Sequence, residues 1–141
     1  MTWPVVLMPD AVDVVGTFLQ VELPLYGWDV PVRDRVPETR PAQFVVLRRV
    51  GGVSRNVVTD EPMLTVEGWA RTHQEAQDLC ALSRALIHSM PGERVVNGVA
   101  VYRITDVAGP AHLPDDLSAQ PRYTCTLSVA LRGSPVEPSS A

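Results

Sequence analysis

The chain has 141 residues and a mass of 15.4 kDa, which suits one domain whose core needs neither disulfides nor a structural metal. Hydrophobic residues at 45% and charged residues at 20% exclude wholesale disorder. A net charge of −4 disfavours binding nucleic acid by phosphate neutralisation, and the absence of lysine among the twelve cationic side chains excludes Schiff-base chemistry.

The charge is unevenly spread. Residues 1–30 carry four acids (Asp10, Asp13, Glu22, Asp29) and no base, whereas residues 31–55 carry six arginines against Asp34 and Glu38. The remainder is again acidic. All-arginine usage fits the codon bias of a GC-rich genome and favours bidentate ion pairs. Mean hydropathy is +0.05, and no apolar run approaches the roughly 18 residues of a membrane span. The first residues lack the basic-then-apolar pattern of a signal peptide, so a cytoplasmic site of synthesis without membrane contact is expected.

In chain order, Trp3–Met8 reads as a strand that stops at Pro9. Asp10 is a natural N-cap, with Asp13 at N3, for a helix in which Ala11, Val14, Val15, Phe18 and Leu19 recur at helical spacing as far as Leu23. Four prolines between 24 and 42 leave room for one extended piece, Val30–Val36, at a sheet edge. Gln43–Val50 comes next as a strand whose Phe44-Val45-Val46-Leu47 run requires cover on both faces. Gly51-Gly52 reads as a turn. Asn56–Thr59 and Met63–Ala70 read as extended, with Leu64 and Val66 on one face and Thr65 and Glu67 on the other.

Thr72-His73-Gln74-Glu75 is a capping box for a second helix. Its stripe runs through Ala76, Leu79, Cys80, Ser83, Leu86, Ile87 and Met90 to Pro91-Gly92, about 27 Å at 1.5 Å per residue. Asn97-Gly98 between valines predicts a tight hairpin whose second strand runs to about Val107. Residues 108–121 read as a long proline-rich loop. Arg122–Arg132 alternates apolar and polar residues strictly, and residues 134–141 read as a flexible tail after a 1–133 domain. The order implies a two-layer α+β domain, a mainly antiparallel sheet with two helices packed on one face.

Candidate chemistry is sparse. His73, His88, His112, Cys80 and Cys125 form none of the spacings of a metal motif, and the two cysteines sit on apolar stripes. No nucleophile motif is present, and Asp115-Asp116 lie in a polar loop without apolar walls to raise a pKa. Gly51-Gly52 precedes no helix and cannot cradle phosphate. Arg48 and Arg49 are adjacent on a strand and face opposite ways, which suits one surface ion pair and one interface contact. Trp3, Trp28 and Trp69 lie off the helical stripes: Trp69, if exposed, would be an interface anchor, and otherwise two of the three complete the core.

As a set, these motifs resemble the tail terminator (minor tail) proteins of long-tailed bacteriophages. The resemblance rests on Pro9-Asp10-Ala11, on Arg40-Pro41 with Phe44-Val45-Val46 and Arg48-Arg49, and on Gly51-Gly52. It continues through Asp60, Pro62, Leu64-Thr65-Val66-Glu67 and Trp69-Ala70, and closes with Gly109-Pro110, Pro114-Asp115, Pro121-Arg122-Tyr123 and Arg132-Gly133. It implies a virion subunit with no catalysis and no cofactor, forming a ring, a hexamer, on the end of the tail tube. There it would stop tube polymerisation, contact the tail tube protein and a head-neck or connector protein, and let DNA pass without specific binding through a lumen that should repel rather than grip phosphate, which the net −4 per subunit fits.

Ring closure needs two different faces per subunit. Asp13, Arg33, Arg35, Arg48, Arg49 and Trp69 are the interface candidates, Arg48 and Asp13 being an oppositely charged pair across subunits, and Asp115 and Asp116 are candidates for the lumen or rim. The 108–121 loop is expected to be mobile until assembly. A head–tail connector or tail-completion protein is the alternative in the same biology; a small ligand-binding or enzyme domain with its site under that loop is the alternative from another class.

Overall fold

A computed structural model describes residues 4–92, 95–96, 98–114 and 117–139. The elements are β1 (Val5–Leu7), α1 (Ala11–Glu22), β2 (Val32–Arg33), β3 (Phe44–Ser54), β4 (Thr59–Trp69), α2 (His73–His88), β5 (Val95–Val96), β6 (Val99–His112), β7 (Arg122–Arg132) and β8 (Ser134–Val136). Six strands form one sheet in the order β2-β3-β4-β7-β6-β5, antiparallel except for the β2–β3 pair, and β1 and β8 form a separate two-stranded ribbon. This is the α+β architecture that the sequence implies.

Both helices cover the same face of the sheet. The main core joins Val14, Val15, Phe18 and Leu19 of α1 and Leu79, Leu86 and Ile87 of α2 to the inward residues of the strands, Leu47, Leu64, Val66, Leu127 and Val129 among them. α1 begins where the Asp10 carboxylate accepts from the Asp13 amide at 3.2 Å. It ends in a 3-10 turn, Leu23–Tyr26, that accommodates Pro24. α2 begins at Thr72, whose hydroxyl accepts from the Glu75 amide at 3.1 Å. The reverse half of the expected capping box is replaced: Glu75 accepts from the Thr72 hydroxyl and from Gln43 Nε2 at 2.8 Å, which ties the helix start to the approach to β3.

On the opposite face, Phe44, Val46 and Trp69 make a second, small apolar cluster with Val36 packed against it. The Phe44–Leu47 run is therefore fully buried on both sides, as its composition requires.

Three boundaries differ from the sequence expectation. Gly51 and Gly52 are no turn; they lie inside β3, which gains one extra residue between Arg49 and Gly51 against Leu64–Met63. Gly52 has φ 97°, and a Cβ there would sit 2.2 Å from the Glu61 carbonyl oxygen, so the glycine serves a bulge that brings two strands together. The hairpin turns later, where Asn56 Oδ1 accepts from the amides of Val58 and Thr59, both at 2.9 Å.

The other differences lie nearer the C-terminus. β6 runs five residues beyond Val107 by absorbing its glycine and proline in register shifts against β7, so the loop starts only at Leu113. Residues 134–136 are a strand rather than tail, because Val5, Val6 and Leu7 pair with Val136, Pro135 and Ser134. Val96 pairs with Val99 as the hairpin signal implies, while Asn97 itself lies outside the described residues.

Candidate functional site

One cluster of polar side chains gathers on the sheet face away from the helices. At its centre is Trp69, only 1% exposed. Its ring stacks on Phe44 with centroids 5.3 Å apart and planes 11° from parallel. The guanidiniums of Arg40 and Arg122 lie over it at 5.2 and 4.9 Å, and its Nε1 donates to Glu67 Oε1 at 3.1 Å. Glu67, also buried, pairs on its other side with Arg48 at 3.4 Å. Trp69 is thus not the exposed anchor considered from sequence; it closes the second core under a lid of cations. Trp28 packs against the main core, and Trp3 lies outside the described residues.

Arg48 and Arg49 do face opposite ways, and each pairs with a carboxylate of the chain. Arg48 holds Glu67, and Arg49 reaches the buried Asp60 at 3.2 Å on the helix side of the sheet. Each arginine makes an ion pair within the chain, because β4 places a buried carboxylate within its reach, and each side chain stays more than 40% exposed. Asp13 lies in the first turn of α1. Arg33 bonds the Val32 carbonyl oxygen, and Arg35 pairs with its neighbour Asp34 at 3.1 Å in an exposed position. The Arg35 guanidinium holds the Asp34 carboxyl below its ordinary range. Arg33 and Asp34, with Asp10, Asp13, Gln20 and Val32, line an open cleft of about 430 Å³ between α1 and β2. Asp115 and Asp116 lie outside the described residues.

The described parts of the 113–121 loop are tied down. Arg122 donates to the carbonyl oxygens of Leu113 and Pro114, each at 3.0 Å, Gln120 Nε2 to those of Pro41 and Ala42, each at 3.1 Å, and Arg40 to Ser118 Oγ at 2.9 Å. No sequence pattern announces this clamp, since Arg40 and Gln120 meet partners 78 and 79 residues away.

Two pairings also escaped sequence reasoning. His73 and His112 meet edge to face at 4.5 Å between centroids, with Tyr123 at 5.5 Å from His112. His88 and Arg84, one helical turn apart on α2, both bond Asp106 of β6, at 2.8 and 3.0 Å. Among the described residues, no group of three or more His, Cys, Asp or Glu is arranged to hold a metal, and no helix is long and apolar enough to cross a membrane. Cys80 and Cys125 are buried and unbridged; the adjoining Cys125 thiol and burial push the Cys80 thiol far above its ordinary range.

The sheet edges are the remaining feature. Among the described residues, β2 covers β3 only at Val45 and Val46, and β5 covers β6 only at Val99 and Ala100. Among the described residues, β3 beyond Val46 and β6 beyond Ala100 have no strand on their outer edges. Exposed Val50 and Val53 belong to the first, and Tyr102 and Val107 to the second. No protein-family model matches the chain, and no curated protein matches it significantly.

Proposed function

We propose that this chain is a non-enzymatic building block of a phage virion, a tail-terminator-type subunit that closes into a ring, a hexamer, on the head-proximal end of the tail tube. There it ends tube polymerisation and offers a surface to the neck. The observation that carries the reading is the pair of open sheet edges. A long, uncovered edge is a template for another chain, and two different open edges on one protomer are what a heterologous, ring-closing contact requires. The order of motifs shared with tail terminators and the α+β layering support the same reading. The interface role assigned to Trp69 passes to these edges, and Arg48 and Arg49 already stand on the first of them.

The test is co-assembly with a polymerising tail tube protein, followed by light scattering and electron microscopy. The expected result is shorter tubes, each with a ring on one end, and loss of that ring in Val53→Lys and Val107→Lys variants that still fold. Tubes of unchanged length without a ring would overturn the reading; rings bound to a portal-type connector and absent from tubes would favour a head–tail connector instead.

A further inference from the structure

The fold separates charges that the net value averages. Alternation along the strands places Arg48, Arg103, Arg122 and Arg132 on the face away from the helices, and Arg55 joins them from the β3–β4 hairpin through its bond to Glu61. Only Glu61 and Glu67 oppose these five guanidiniums among the described strand residues of that face. Carboxylates also gather on the other side: Asp60 and Asp106 point towards the helix layer, where they meet Arg49 and Arg84, and the α1 sequence adds Asp13 and Glu22 and contains no arginine. A chain of net −4 therefore carries one cationic face.

The middle of that face carries hydroxyls around the half-buried Met63. Thr65 pairs in register with Thr126, and Thr105 with Ser128, all on the side of the arginines. Arg122 and Arg132 stand at opposite ends of β7, ten positions or about 34 Å apart at 3.4 Å per residue, and β3 to β6 span about 14 Å across. That length is about one helical turn of a DNA duplex. Arginine and Ser/Thr hydroxyls are the side chains that hold phosphate oxygens without reading bases.

We propose that this open face binds the phosphodiester backbone of duplex DNA without sequence preference. The inference rests on charge placement and does not depend on the tail reading. A second copy's acidic helix layer is the competing occupant, but among the described strand residues the face offers only the half-buried Met63 as a large apolar side chain at its centre, its rings Phe44 and Trp69 being buried. The same burial removes the stacking platform that single strands use.

The experiment is fluorescence anisotropy of the full chain with a labelled mixed-sequence duplex of about 20 base pairs, titrated from about 50 to 200 mM salt. With about three net phosphate contacts, affinity should fall about fortyfold over that range. The Arg103→Gln/Arg132→Gln double variant should weaken binding at least tenfold at low salt, and Arg33→Gln, on the cleft beside α1, should leave it unchanged, with circular dichroism showing all three chains folded. Absence of binding at 50 mM salt, equal loss in Arg33→Gln, tighter binding to single strands, or low-salt self-association that disappears in the double variant without duplex binding would each overturn the proposal. Tube capping is measured separately, so either result stands without the other.

Discussion

Glu67 accepts the Trp69 indole proton at 3.1 Å although the two residues are neighbours on one face of one strand, and neither side chain reaches solvent to any extent. A buried carboxylate is tolerated here because Arg48 pairs with its second oxygen and the indole satisfies the first. Trp69→Ala should therefore destabilise the chain by about 3–5 kcal/mol, removing a stacked ring and a donor together. Glu67→Ala should cost about 1–3 kcal/mol by orphaning the indole N–H. Urea denaturation followed by circular dichroism measures both, and a Glu67→Ala cost below the Trp69→Ala cost is the expected order.

Gly68, between these two on the sequence, serves the other face. A Cβ there would lie 2.8 Å from both the Ala76 carbonyl oxygen and the Cys80 amide nitrogen, which are backbone atoms of α2 and cannot rotate away. Gly68→Ala should push the helix off β4 and cost about 1–3 kcal/mol. Gly109→Ala, with open space around it, should change stability by less than about 0.5 kcal/mol. Equal midpoints for the two variants in urea would show that α2 yields without cost.

The parts of the fold that were legible in the sequence are those with a local cause. Asp10 and Thr72 mark helix starts by their own side chains, and the alternation from Tyr123 to Leu131 marks β7 end to end. Gly51-Gly52 misled because two glycines serve a bulge as well as a turn, and only the partner strand decides which. β8 was invisible because its partner, β1, lies at the other end of the chain. The polar cluster around Trp69 was half legible: the face was right, but Arg40 and Arg122 come from segments whose meeting no periodicity encodes. Net charge says nothing of where charges stand, and the placement of Arg48, Arg103, Arg122 and Arg132 on one face becomes visible only once the strands are paired.

Asp106 accepts from Arg84 and bonds His88, and these contacts hold its carboxyl below the ordinary value of 3.8. A depressed folded-state pKa adds stability above the unfolded value, which is lost as pH falls through the lower folded value. Asp106→Asn should therefore be less stable than the parent chain at neutral pH, and the gap should close as pH falls through the lowered folded-state value. Because Asp106 is 39% exposed, solvent screening limits the neutral-pH gap to about 0.5 kcal/mol. Denaturation midpoints from about pH 7 down to about 2.5 give the comparison; a gap that widens on acidification contradicts the assignment.

The loop clamp makes the last prediction. Sequence alone implies that 108–121 is mobile before assembly, yet β6 consumes its first five residues and Arg122, Gln120 and Arg40 anchor the segment beyond them. The Ala70 amide also donates to the Pro121 carbonyl oxygen at 3.3 Å, and the Leu113 amide to that of Arg122 at 2.9 Å. These two amides should exchange slowly in the isolated chain, since a buried or bonded N–H exchanges only through opening. Gln120→Ala removes both bonds to the 41–42 carbonyls and should speed exchange at Ala70 more than at Leu113, whose bond is held by Arg122 on the far side of the loop. Arg122→Ala should release both amides and uncover the Trp69 ring, raising its quenching by acrylamide. Fast exchange at both amides in the unaltered chain would show that the clamp closes only on assembly.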